Sequence, residues 1–96
     1  MRIIGRKVVE KFKRNHADAR PSLDYWYRVV SSRDWNSLVA LRQVFPSADP
    51  VDSRIVFNVG GNKYRLISDV NFKAKTLLIR DVLTHQEYDR GGWKKA

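Results

Sequence analysis

The run from Arg54 to Ile67 admits few structures. Two stretches rich in β-branched and aromatic residues flank the pair Gly60-Gly61: Ile55-Val56-Phe57 with Val59 before it, Tyr64 to Ile67 after it. A Gly-Gly loop supplies the left-handed dihedrals of a tight hairpin turn, so the run reads as two antiparallel strands joined by a two-residue loop. In that register Val59 faces Asn62, Asn58 faces Lys63, Phe57 faces Tyr64 and Val56 faces Arg65. Directly opposed residues share a side of the sheet. Ile55, Phe57, Tyr64 and Leu66 then form a core wall. Arg54, Asn58, Lys63 and Arg65, interleaved with Val56 and Ile67, form a basic platform.

The rest of the chain is read around that hairpin. Arg2-Ile3-Ile4 reads as a short strand ended by Gly5. A helix through about His16 follows, with Ile4, Val8, Val9 and Phe12 on one side and Lys7, Lys11 and Arg14 on the other. Pro21 suits an early position of a second helix, whose apolar stripe is Leu23, Trp26, Tyr27 and Val30. Asn36 is the expected cap of a third, short helix with Leu38, Leu41 and Val44 inward, stopped by Pro46. Ser47 to Ser53 reads as a polar loop with an Asp49-Pro50 turn. Beyond the hairpin the strand extends to Val70, and 71–75 form a connection that exposes Lys73 and Lys75. Thr76 to Leu83 is nearly apolar, as an inner strand should be. Thr84 and Glu87 have the spacing of a capping box for a final short helix. Gly91 to Ala96 reads as a loose basic tail. Helices first and consecutive strands after them give an α+β fold over a single domain, residues 1–96: N-terminal helices packed on one face of a small antiparallel meander.

Charge narrows the function. Nineteen Lys and Arg against ten Asp and Glu give +9. The excess lies at both ends. Residues 1–20 carry seven basic and two acidic side chains, residues 53–96 nine and four, and residues 21–52 three and four. A small domain of this kind is expected to meet a polyanion: RNA, DNA, an anionic membrane or an acidic protein. No apolar run approaches a membrane span, and no secretory signal opens the chain. Cysteine is absent, which excludes disulfides, thiolate metal sites and thiol nucleophiles and suits a reducing cytoplasm.

Gly60-Gly61-Asn62-Lys63 lacks the spacing of a phosphate loop, and the two histidines, His16 and His85, have no ligand-spaced company. What remains is Asn62, Lys63, Arg65, Arg80, His85 and Tyr88, on or just after neighbouring strands. Metal-free RNA cleavage needs a base for the ribose 2′-hydroxyl, an acid for the departing 5′-oxygen and cations for the phosphorane charge. Imidazole and phenol suit the proton transfers, and guanidinium suits phosphate. Each residue also has a plainer reading. Arg65 and Lys63 fit a solvent face, Asn62 fits a turn, His85 fits the end of a strand, Tyr88 fits the edge of a core, and Arg80 fits an ion pair with Asp81 or Glu87.

Two blocks, Val56 to Ile67 and Ile79 to Asp89, together with Ser37-Leu38 and Val44-Phe45-Pro46-Ser47, resemble the HigB family of bacterial type II toxins. The Phe57-Asn58-Val59-Gly60-Gly61-Asn62 and Thr84-His85 with Glu87-Tyr88-Asp89 blocks carry the likeness. The resemblance implies a RelE-like fold and a ribosome-dependent mRNA endonuclease, and the residues themselves, without cysteine or ligand-spaced histidines, lead us to expect that it works in the cytoplasm without a cofactor or metal. It implies neutralisation by a HigA-type antitoxin and contact with operator DNA only through that antitoxin. Mapped onto this chain, the expected catalytic residues are Arg65, Arg80, His85 and Tyr88. Asn62, Lys63, Arg54, Lys73 and Lys75 are expected to bind RNA. The same charge and hairpin would also serve a non-catalytic RNA- or DNA-binding module, or a RelE-shaped toxin with another target.

Overall fold

Gly60 and Gly61 both take positive φ, 64° and 68°, as a tight turn of the chain requires. The structure, a computed structural model that describes residues 1–95, places them in a longer loop than the sequence suggested. Strand β3 (Arg54–Val59) pairs with β4 (Tyr64–Asn71) through Val59↔Tyr64, Asn58↔Arg65 and Phe57↔Leu66. The loop is therefore residues 60–63, with the Lys63 N–H reaching the Gly60 carbonyl at 3.4 Å. Asn62 and Lys63 belong to the turn, and the register differs from the expected one by two residues. Because side chains alternate with period two, a shift of two leaves every residue on its expected face. Ile55, Phe57, Tyr64 and Leu66 are buried against the helices.

Three further strands complete a mixed sheet of order β1-β5-β4-β3-β2. β5 (Thr76–Thr84) is antiparallel to β4, and β1 (Arg2–Ile4) runs parallel to β5 through Ile3↔Leu77, so the sheet is not a pure antiparallel meander. Gly5, at φ 98°, turns the chain from β1 into helix α1 (Arg6–Asn15) so closely past β5 that a Cβ there would lie 2.7 Å from the Ile79 carbonyl. The expected polar loop at 47–53 contains a short edge strand, β2 (Asp49–Val51), paired antiparallel to β3. Pro50 is tolerated there because an edge strand has one side free of ladder bonds.

Helices α1, α2 (Arg20–Ser31) and α3 (Leu38–Val44) cover one face. Pro21 sits in the first turn of α2 as expected, and Leu23, Trp26 and Val30 are buried. Trp26 and Phe45 both meet the Phe57 ring edge-on, at 5.4 and 5.6 Å. The cap of α3 is Ser37, whose hydroxyl accepts from the Ala40 N–H, and not Asn36. Asn36 instead accepts from the Lys75 ammonium.

The opposite face is covered too, which the sequence reading did not foresee. Helix α4 (His85–Arg90) begins with the expected capping box of Thr84 and Glu87 and ends at Gly91. Residues Gly92–Lys95 then form one 3-10 turn. Trp93 is buried with Val56, Ile67 and Leu83, so the segment expected to be a loose tail is packed on the sheet. Ala96 lies outside the described residues.

Candidate active site

Arg65 and Leu83 are partners in the β4–β5 ladder, and Arg65 leaves the sheet on the face away from the three N-terminal helices. Two carbonyls, of Asn62 and Tyr64, accept from one end of its guanidinium at 3.1 Å each. The other end lies 3.3 Å from Nδ1 of His85. Guanidinium can only donate, so Nδ1 of His85 accepts and its proton resides on Nε2. That nitrogen meets Asp89 Oδ2 at 3.1 Å, one helical turn along α4. The result is a line of three groups, Arg65–His85–Asp89, that fixes the ring's orientation and tautomer. Asp89 is a site residue that sequence reasoning missed. Its signal was the i,i+4 spacing from His85 on a capped helix.

The first residue of α4 is anchored to the hairpin, since the His85 N–H donates to the Lys63 carbonyl at 2.9 Å. Tyr88 follows one turn later. Its ring lies 5.5 Å beneath the Arg65 guanidinium and stacks on Trp93 at 5.1 Å with planes 14° apart. Partial burial raises the Tyr88 hydroxyl above the usual phenol pKa, and the carboxylate of Asp49 adds to the rise, against the opposing charge of Arg65. A cavity of about 380 Å³ opens beside Arg65 and Tyr88, with Arg42, Asp49, Val56 and Asn58 among its walls. Arg42 was also missed, because α3 reaches this place only through tertiary folding. Its Nε donates to the Ala48 carbonyl at 2.7 Å, which holds the guanidinium at the cavity.

The remaining expected residues divide. Asn62 and Lys63 stand beside the cluster in the hairpin turn. Asn62 Oδ1 accepts from Asn58, and the Lys63 ammonium is 3.5 Å from Asp18. Arg80 does not join Arg65 and His85. It is the extra residue of a bulge, since Ile79 pairs with Ser68 and Asp81 with Ile67, and its guanidinium is 3.4 Å from Asp69. Arg54 meets the same carboxylate at 3.6 Å and donates to the Trp93 carbonyl at 2.8 Å. Arg54 and Arg80 therefore belong to a second group around Asp69 and the C-terminal turn. Lys73 and Lys75 lie at the far end of the sheet. Tyr64 pairs with Thr84 at one end of β4 and Asn71 with Thr76 at the other. Seven strand steps of about 3.4 Å separate those ends by roughly 24 Å. Lys75 is held there by the Trp35 carbonyl and Asn36.

Among the described residues no group of three His, Asp or Glu side chains is placed to hold a metal ion. No described helix is long and apolar enough to cross a membrane.

The pattern that defines the HigB toxin, a RelE-like toxic component of a toxin-antitoxin system, matches residues 19–91. The protein named mRNA interferase HigB of Escherichia coli O6:H1 is 31% identical over 93 residues, which is 94% of this chain and 90% of that protein. The mRNA interferase HigB of Shigella flexneri is 32% identical over 92 residues, 93% of this chain and 88% of that protein. The likeness spans the hairpin, the bulged strand and the capped helix that carry the Arg65 cluster. On these matches the chain belongs to the HigB family of RelE-like toxins, the toxic half of a system whose other half is an antitoxin.

Proposed function

We propose that this chain is an mRNA endonuclease that acts on the ribosome and that Arg65, His85 and Tyr88 carry the reaction. The observation behind the assignment is the contact of Arg65 with His85, with Asp89 behind the imidazole and Tyr88 under the guanidinium. The names of the relatives, mRNA interferases, support the substrate class.

The chemistry follows from the donors that remain. Arg65 has five N–H bonds, of which two meet carbonyls and one meets His85, leaving Nε–H and one Nη2 hydrogen for phosphate oxygens. A phosphate drawn to that guanidinium competes for the hydrogen held by Nδ1. The freed Nδ1 then accepts the proton of the ribose 2′-hydroxyl as its oxygen attacks phosphorus. Asp89 stabilises the imidazolium that forms. The bond from phosphorus to the 5′-oxygen breaks, and Tyr88, whose burial keeps the phenol protonated, donates to the departing oxygen. The products are a 2′,3′-cyclic phosphate and a 5′-hydroxyl, with no metal or cofactor required. Lys63, Asn62 and Arg42 border the path of the strand. The basic face of α1 serves ribosomal RNA. A HigA-type antitoxin neutralises the protein and provides any contact with operator DNA.

The test is cleavage of mRNA on programmed ribosomes by wild type, His85→Ala and Tyr88→Phe, with 5′ ends mapped and product termini analysed. Losses of about 10²-fold to 10⁴-fold in rate are expected for correctly folded variants. Wild-type rates in both would remove the assignment. Salt-sensitive RNA binding with intact RNA would instead indicate a binding module.

A further inference from the structure

A second cavity, of about 350 Å³, opens on the other side of strand β3, and its walls include Ser22, Tyr25, Trp26, Phe45, Asn58 and Gly60. Asn58 borders both this cavity and the one beside Arg65. Among the described residues the outer edge of β3 beyond Val56 has no strand partner, because β2 pairs only with residues 54–56. The two openings thus flank one unpaired edge, and Phe45 and Pro46 stand across from it, Phe45 in one wall and Pro46 in the other.

Resting on the nuclease reading above, we infer that this aromatic cavity is the subsite for the base of a nucleotide adjoining the scissile phosphate, and that Asn58 and Tyr25 set base preference. Single-stranded RNA is commonly read by aromatic rings that take a base beside cations that take the backbone. Both halves are present here, on either side of Asn58. Tyr25 is a large aromatic left 46% exposed, which gives a base a ring to stack on. Arg28 lies 5.7 Å from the same ring and adds a cation beside it. Asn58 gives one amide hydrogen to Asn62 Oδ1, which leaves its carbonyl oxygen and second hydrogen as an acceptor–donor pair. That pair is the complement of a base edge. Trp26, in the wall of the cavity, has a buried indole N–H that meets no acceptor among the described residues.

Two measurements on the full chain test this. The first maps cleavage sites on programmed ribosomes for wild type, Tyr25→Ala and Asn58→Ala, with folding checked by circular dichroism. The expected result is a base bias at one position next to the cut that flattens about tenfold in both variants, while biases elsewhere persist. An unchanged bias at every position overturns the subsite. The second titrates the four nucleoside 5′-monophosphates into labelled protein and follows the Trp26 indole N–H by NMR. Saturable shifts that weaken in Tyr25→Ala support the subsite even if wild type cuts no RNA, an outcome that would sink only the nuclease reading. A Trp26 signal silent to all four nucleotides overturns it. So does a loss of antitoxin affinity in Tyr25→Ala with base bias intact, which would mark the cavity as a protein-docking site.

Discussion

Arg65 and His85, twenty residues apart in sequence, meet through a 3.3 Å contact between a guanidinium nitrogen and Nδ1. The contact joins a strand to the first residue of the helix that follows the next strand. It exists because the β4–β5 ladder sets Arg65 opposite Leu83, two residues before His85.

Replacement of Arg65 by Lys keeps the charge and loses the fork. An ammonium cannot hold two carbonyls, an imidazole and a phosphate together. Arg65→Lys is expected to lower the rate of ribosome-programmed cleavage by about 10²-fold, with Arg65→Ala lower still. Both variants should melt within a few degrees of wild type, since Arg65 is only half-buried and no part of the apolar core. Initial rates beside thermal melts check this, and a Lys variant as fast as wild type refutes it.

Asp89 is expected to matter through His85. With Asp89→Ala the Nε2 proton loses its partner, and the imidazolium formed during reaction loses its counter-charge. The rate should fall by at least about tenfold with little change in substrate affinity. Nitrogen-15 NMR of the ring should show the Nε2–H form in wild type and a mixture of tautomers in the variant. A single unchanged tautomer would separate Asp89 from the site.

Trp93 is expected to be structural for the second face of the sheet. It is buried, its indole N–H donates to the Tyr88 carbonyl at 3.0 Å, and its ring stacks on Tyr88. Trp93→Ala should cost about 3 kcal/mol or more of stability in urea titrations. It should also slow cleavage, because Tyr88 loses its backing. A loss below about 1 kcal/mol would mean that the tail is not part of the fold.

Acid and alkali should act through Asp18 and Tyr64. The Tyr64 hydroxyl lies 2.8 and 2.9 Å from the two oxygens of the Asp18 carboxylate. That bond lowers Asp18 below its ordinary 3.8, with Lys63 helping, and raises Tyr64 above 10.0. A depressed carboxylate stabilises above its unfolded pKa and loses that contribution as pH falls through its folded value. A raised phenol stabilises below its unfolded pKa and loses its contribution as pH rises through its folded value. The stability difference between wild type and Tyr64→Phe should therefore be steady from about pH 5 to 9 and shrink outside that window. Melting temperatures across the range measure it, and a difference independent of pH contradicts it.

Much of the sheet was legible because period-two alternation survives an error of register. The Gly-Gly pair located the turn, and the two-residue shift moved no side chain to the wrong face. The capping box at Thr84 was legible because both halves are local. What escaped depends on contacts distant in sequence. A Trp after two glycines reads as a frayed end until Ile67 and Leu83 are seen to leave an apolar face uncovered. Arg80 inside an apolar run reads as an active-site cation until the bulge turns it to Asp69. Arg65, His85 and Tyr88 were named from sequence, while Asp89 and Arg42 needed the helix and the cavity around them.

The parallel pairing of Ile3 with Leu77 has a consequence for biosynthesis. Arg2 leaves a translating ribosome 74 residues before its sheet partner Thr76, and the imidazole at position 85 comes later again. A nascent or prematurely terminated chain can form its helices and its hairpin and still lack the assembled cluster. Incomplete copies of the toxin should thus be harmless to the cell that makes them.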